Sequence, residues 1–223
     1  MEGKKAVVVG HEVPPERLLA DLERYRQEAI RLGMTDAKVI ATDQVVVDER
    51  VRGKCRIPLC VEYGVSANCP PHSPTPAETR ALVGRYQYAI FMKREVKADG
   101  MAGPDVAKNL MQGKFDPERT QRMRAVLEIP AQVESMAFYD GYYLALAYGG
   151  ACKIMYCAGV ECQAIQPGQH CRFPYRSRPS MESAGMDVFR MCAQVGWEVY
   201  QIGSQTDPAS VPCGLLAGLV LIQ

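Results

Sequence analysis

The sequence has few histidines, almost no net charge and no long apolar run. Its 223 residues include three histidines, and 26 lysines and arginines offset 25 aspartates and glutamates, so the formal net charge is +1. Proteins that bind DNA or RNA are expected to be strongly basic, which argues against nucleic acid as a partner. The late apolar segment, residues 215–222, has the length of a strand and is interrupted by Gly218, so no membrane span is predicted.

Motifs of several enzyme classes are also absent. The chain contains no G-x-G-x-x-G, no G-x-x-x-x-G-K-S/T and no H-E-x-x-H, so nucleotide binding and zinc-dependent proteolysis have no motif support. No signal peptide is predicted, because the apolar run at residues 6–9 is too short. We therefore expect a cytoplasmic protein. In that compartment its nine cysteines are typical of metal-binding or redox thiols rather than disulfides.

Most of the cysteines fall into two groups with the same spacing. In each group, four residues separate the first two cysteines and eight separate the second two. The first group lies in CRIPLCVEYGVSANCPPH and the second in CAGVECQAIQPGQHC, with one more cysteine four residues before the second group. The candidate metal ligands are Cys55, Cys60, Cys69, Cys152, Cys157, Cys162 and Cys171.

Clustered thiolates select zinc, copper(I) or iron–sulfur clusters. The spacing favours iron–sulfur, because structural zinc sites usually separate paired ligands by about two to four residues. Cys69 is followed by Pro70, as in ferredoxin-type cysteine runs. The second group has four thiols and can hold a 4Fe-4S cluster alone. The first has three, and its fourth ligand could be His72, Cys192 or Cys213, or one iron could stay open. We predict one or two 4Fe-4S clusters, with zinc as the alternative.

The predicted elements indicate an α+β fold, with helices packed on a mixed or antiparallel sheet and two Cys-rich metal-binding loops. We predict a single metal-binding domain over residues 1–223, with a candidate pseudo-repeat of Cys triad, loop, helix and strand at 55–92 and 157–203. Thr75 and Glu78 predict a capping box at the start of one helix. The predicted helices cover residues 15–32, 76–84, 117–148 with a kink or break at Pro130, and 178–195. The predicted strands cover residues 5–9, 37–41, 45–48, 86–92, 198–202 and 215–222.

Two stretches, VDERVRGKCRIPLCVEYGVSANCPPHSPTPAE and CRFPYRSRPSMESAGMDVF, resemble a family of uncharacterised predicted metal-binding proteins. That family occurs mostly in archaea and anaerobic bacteria. The resemblance extends from Leu18 onward and is most specific at the two Cys groups and at residues 178–182. Many of its members start the second group more tightly, as C-x-x-C-x-x-C. The resemblance implies a metal but no established reaction. The family's cysteines correspond to Cys55, Cys60, Cys69, Cys162 and Cys171.

Three functions are consistent with these patterns. The leading hypothesis is low-potential electron transfer by one or two 4Fe-4S clusters. The second is an iron–sulfur enzyme whose open iron acts on a small substrate, and the third is a zinc-stabilised interaction module. The sequence identifies no catalytic residue, so whether the protein is an enzyme is left open. Basic residues beside both Cys groups, such as Arg56 and Arg172, suit either a redox-partner protein or a small anionic substrate.

Overall fold

A four-stranded sheet forms the centre of the computed structural model, which describes residues 6–9, 13–101, 103–111 and 117–223. The strand order is β1-β2-β4-β3, and every neighbouring pair is antiparallel. The predicted α+β fold is confirmed, and within the described residues its sheet is antiparallel rather than mixed. The strands are β1 (Asp36–Ala41), β2 (Tyr88–Val96), β3 (Leu146–Tyr148) and β4 (Gly214–Ile222).

The α-helices and short 3-10 turns connect these strands and cover both faces of the sheet. The helices are α1 (Pro15–Arg31), α2 (Glu49–Gly53), α3 (Pro76–Val83), α4 (Pro104–Met111), α5 (Pro117–Tyr139), α6 (Cys152–Tyr156) and α7 (Val188–Gln194). The 3-10 turns are Thr42–Gln44, Ala98–Gly100, Gln163–Ile165, Glu182–Ala184 and Pro208–Ser210. None of the helices in the described part of the chain is both long enough and apolar enough to span a membrane.

The two central strands are apolar on both faces because each face is covered. On one face of β2, Ile90 and Met92 pack into a cluster with residues of α1 and α5. On the other face, Phe91 packs into a cluster with Trp197 and residues of α7. The sheet is therefore buried between two helical layers, which explains why β2 and β4 do not alternate between apolar and polar residues.

Several predicted elements are confirmed. Helix α1 ends one residue before the predicted end, and β1 and β4 lie where they were predicted. Helix α3 begins with the predicted capping box: Thr75 accepts from the backbone N–H of Glu78, and the Glu78 carboxylate accepts from the backbone N–H of Thr75. These two reciprocal bonds satisfy N–H groups that the helix itself cannot pair.

Of the kink or break predicted at Pro130, the break is wrong. Helix α5 continues through Pro130 to Tyr139, and residues 146–148 form β3 instead of the end of a helix. Pro130 is buried against β4, where a Cβ on Gly218 would lie 2.7 Å from the Pro130 Cγ. Close packing against this glycine holds the proline ring in place, so tertiary contact compensates for the missing helical hydrogen bond.

Other predicted elements are shorter than predicted or absent. The helix predicted over 178–195 is interrupted at Gly185, whose φ is 86°, and α7 begins only after Asp187. The strands predicted over 45–48 and 198–202 are wrong, since neither segment forms one. Of the strand predicted over 5–9, residues 6–9 have no regular structure, and Lys5 lies outside the described residues. Asp116, the predicted start of the helix at 117, also lies outside them.

Candidate metal centre

Four of the predicted ligands line one cavity of about 270 Å³. Cys152 opens helix α6, and Cys157 follows its last residue, so this one short helix positions both thiols. Cys162 immediately precedes the 3-10 turn at 163–165 and is 8% exposed. Cys171 lies in the loop that leads back toward the sheet. The four thiols of the second group thus line the same cavity.

The loop of the first group reaches the same cavity. Ser66, Ala67 and Asn68 form part of its wall. The Asn68 side-chain amide donates to Cys152 Sγ at 3.3 Å and to Ser177 Oγ at 2.7 Å, so one side chain joins the two Cys-rich loops. Ser66 Oγ lies 3.7 Å from the same sulfur. These contacts link residues that are more than 80 positions apart, and the cysteine spacing alone does not predict them.

Tight turns hold the loop of the first group. The backbone N–H of Cys60 donates to the Cys55 carbonyl at 2.9 Å, and the N–H of Cys69 donates to the Ser66 carbonyl at 3.1 Å. The Arg52 guanidinium donates to the carbonyls of Pro71 at 3.2 Å and Ser73 at 3.1 Å. Arg52, one of the basic residues beside this group, therefore organises the loop and is not a free surface charge.

Burial and neighbouring charge raise the pKa of several thiols. The pKa of Cys69 rises to about 12, chiefly because burial disfavours the thiolate, with further contributions from Glu62 and Cys152. Burial also raises the pKa of Cys157, and a hydrogen bond from Arg172 partly opposes that shift. The effect of Cys152 on Cys69 places the two Cys groups within electrostatic reach of each other. Metal binding at these thiols must displace their protons.

A buried ion pair ties the loop after Cys171 to the sheet. Arg178 Nε donates to both carboxylate oxygens of Glu134 at 3.0 Å, and its terminal nitrogens donate to Glu134 and to the carbonyls of Pro174 and Ser177. Glu134 also accepts from the backbone N–H of Ala147 at 2.8 Å. Arg178 therefore connects this loop with α5 and β3 and fixes the wall of the thiol cavity.

Aromatic side chains and a backbone donor complete this wall. The rings of Tyr156 and Phe173 both line the cavity, and their centroids lie 5.2 Å apart. The backbone N–H of Phe173 donates to Cys171 Sγ at 3.3 Å. Apolar walls and N–H donors to sulfur are the surroundings that tune thiolate-bound metal groups. The soft donors and their surroundings thus fit a thiolate-ligated metal or cluster.

The structure does not bring all the candidates together. Among the described residues, no three His, Cys, Asp or Glu side chains are gathered closely enough to hold a metal ion. His72 is exposed, Cys192 is fully buried in the apolar core, and Cys213 lies beside Glu95 and Lys93 at the start of β4. The ligand roles of all these residues, and of the seven clustered cysteines, stay predictions.

Sequence reasoning missed three residues that matter at this site: Asn68, Glu134 and Glu62. Glu62 has a buried carboxylate oxygen without a hydrogen-bond partner in the described structure, and its charge acts on Cys69. An unpaired buried oxygen beside a three-thiol group is a candidate fourth donor. The position of Glu62, two residues after Cys60, is the only sequence signal that could have indicated this candidate ligand.

Comparison with known proteins supports metal binding in general. The family model described as "Predicted metal-binding protein (DUF2284)" matches residues 38–222. No curated protein and no solved structure matches the chain. The family match covers most of the chain, including both Cys groups, and confirms the resemblance noted in the sequence. The chain therefore belongs to the DUF2284 family of predicted metal-binding proteins.

Proposed function

We propose that the protein binds a 4Fe-4S cluster through Cys152, Cys157, Cys162 and Cys171 and transfers electrons at low potential in the cytoplasm. The observation that carries this proposal is the convergence of these four thiols on one cavity. The aromatic wall and the N–H donors to sulfur support it, because they suit a buried cluster rather than an exposed ion. When bound, such a cluster supplies one-electron redox chemistry.

The size of the cavity favours a cluster over zinc. A structural zinc ion holds its sulfur ligands at about 2.3 Å from a single point, so its thiolates crowd together. A cubane cluster holds its thiolates at separate corners and fills the space between them. A cavity of about 270 Å³ with cysteines around its wall is therefore better matched to the larger group.

A second cluster at Cys55, Cys60 and Cys69 belongs to the same proposal. This group has three thiols, and its neighbour Glu62 contributes an unpaired carboxylate oxygen. If no residue fills the fourth corner, the iron there is open to a small substrate, which is the alternative enzymatic function. Burial raises the pKa of Cys69, as expected for a ligand covered by protein, whereas Cys60 of the same group is exposed.

The surface around the first group supports a redox-partner protein. Ile57, Leu59 and Val61 are 74%, 68% and 65% exposed, which is unusual for neighbouring large apolar side chains. Arg56 and Arg172 are also exposed near the two loops. An apolar surface with cationic side chains at its edge is suited to bind a partner protein that has acidic side chains at the edge of its own contact surface.

Substitution of single cysteines tests the cluster. Cys162→Ser should remove most of the iron, the acid-labile sulfide and the brown absorbance from protein purified without oxygen. Ser204→Ala is the control, because Ser204 is exposed and is not a candidate ligand, and it should leave all three unchanged. Equal iron and sulfide in the two variants, or zinc in place of iron in the parent protein, would contradict the proposal.

A further inference from the structure

A second cavity, of about 350 Å³, also borders α6. Met155 of this helix lines it, while Cys152 and Tyr156 of the same helix line the thiol cavity. Its other walls come from α5, α7, the start of β4 and the turn after Pro179, together with Met101 and the segments at 149–151 and 199–202. We call it the apolar cavity, because methionine, valine, leucine and isoleucine side chains form most of its surface.

The apolar cavity contains one charged side chain among its described lining residues, that of Glu182. The polar side chains of Ser180 and Tyr200 also line it. Three of the other lining residues are methionines, whose flexible thioethers adapt to ligands of different shape. A largely apolar pocket with few convergent polar groups is the usual form of a small-molecule site.

The fold places Glu182 at the edge of this cavity through the turn that precedes α7. The backbone N–H of Gly149 donates to the Pro179 carbonyl at 2.8 Å, which fixes the segment just before the turn. A Cβ on Gly149 would lie 2.7 Å from the Val126 carbonyl oxygen, so only glycine allows this approach of β3 to α5. Glu182 then projects from the first position of the 3-10 turn Glu182–Ala184.

The surroundings of Glu182 leave its charge without a cationic partner. Its side chain is exposed at the edge of the cavity. Ser180 and the residue's own backbone N–H interact with the carboxylate. No cation among the described residues contributes. A carboxylate in apolar surroundings is stabilised by a paired cation or a strong donor.

We propose that the apolar cavity binds a small molecule with an apolar body and one protonated amine, whose ammonium group pairs with Glu182. Small anions would be repelled by the same carboxylate. The apolar cavity also lies near both Cys groups. The charge of Glu182 contributes to the raised pKa of Cys55 in the first group, and Met155 lies on the same helix as Cys152 of the second group. This binding site goes beyond the proposed function and does not rest on it.

Three probes of the same size test the charge preference. Benzylammonium, benzyl alcohol and benzoate are titrated into the full-length protein, purified without oxygen, and binding is followed by calorimetry. We expect benzylammonium to bind about tenfold more tightly than benzyl alcohol, and benzoate to bind more weakly than either. Similar binding of all three probes, or no binding of benzylammonium, would overturn the inference.

Matched variants locate the site. Glu182→Gln should reduce benzylammonium binding to the level of benzyl alcohol, whereas Glu16→Gln, at an exposed position of α1, should not change it. Ala217→Phe should fill the cavity and weaken both probes, with Ala81→Phe on the surface of α3 as its control. Unchanged binding in Glu182→Gln would refute the assignment.

Metal and sulfide analyses of the same samples separate this inference from the proposed function. Protein that contains iron and sulfide but shows no preference for benzylammonium refutes the cavity assignment alone. Protein that binds benzylammonium through Glu182 but contains no iron–sulfur cluster refutes the proposed cluster alone.

Discussion

Substitution of Arg178 by alanine should destabilise the protein far more than loss of an exposed ion pair. In the Arg178–Glu134 pair, 18% and 12% of the two side chains are exposed, and Glu134 lies against β3. Arg178→Ala leaves the Glu134 carboxylate buried without its cation. Removing one partner of a buried pair typically lowers the free energy of unfolding by about 3–5 kcal/mol.

Urea denaturation, followed by circular dichroism on anaerobic protein, measures this change. The matched control is Arg50→Ala, because Arg50 pairs with Asp48 but is 87% exposed. Exposed pairs contribute little, so the control should change the free energy of unfolding by less than about 1 kcal/mol. The comparison separates the effect of burial from the loss of a positive charge.

A double variant tests the cause of the effect. In Arg178→Met with Glu134→Gln, no buried charge remains, and the glutamine amide oxygen can still accept from the Ala147 N–H. We expect this protein to be more stable than Arg178→Ala, since replacing both partners of a buried pair is often close to neutral. A loss below about 1 kcal/mol in Arg178→Ala, or no recovery in the double variant, would refute the reasoning.

Two further predictions concern Tyr148 and Asn68. Burial raises the pKa of Tyr148 from its usual value of 10.0 to about 12, so the unfolded chain loses this proton first. The free energy of unfolding should therefore fall as pH rises from about 10 to about 12, and Tyr148 should account for roughly 2–3 kcal/mol of this decrease at most. In urea denaturation at each pH, Tyr148→Phe should lack the part of the decrease that comes from Tyr148. Asn68→Ala removes an N–H donor to Cys152 Sγ. Because such donors stabilise the more negative reduced state of the proposed cluster, this variant should lower the midpoint potential of the cluster by roughly 40 mV in redox titrations. The exposed amide variant Gln169→Ala should leave the potential unchanged, and an unchanged or higher potential in Asn68→Ala would contradict the assignment.

Local signals in the sequence predicted the elements that local interactions determine. The capping residues Thr75 and Glu78 marked the start of α3, and the apolar periodicity of residues 15–32 marked α1. The α+β class followed from the order of elements without regular βαβ alternation. In each case the deciding interactions lie within a few residues of one another, so a single segment contains the information.

Elements that depend on distant contacts were predicted less well. Pro130 stays inside α5 because Gly218, on a strand 88 positions later, leaves room for its ring. The segment before α7 changes direction at Gly185, where a Cβ would lie 2.9 Å from Pro76 Cγ. Neither contact can be seen in the local sequence, which follows the helical pattern in both places.

In the candidate site, too, the features that depend on local sequence were predicted and those that depend on distant contacts were not. The cysteine spacing identified which thiols form the second group, and four of them line one cavity. The approach of the first loop depends on Asn68, which contacts Cys152 and Ser177 across the fold. The sequence pattern does not single out Glu134, because its partner Arg178 is distant in sequence. Polar residues that position a site from another element carry no local signature.

The metal and acid-labile sulfide content of protein purified without oxygen tests the central claim most directly, together with its visible spectrum. Brown protein with about four iron and four sulfide per chain is the predicted result for one cluster, and about eight of each for two. Colourless protein that contains zinc and no sulfide would contradict the account and leave a zinc-stabilised module in its place.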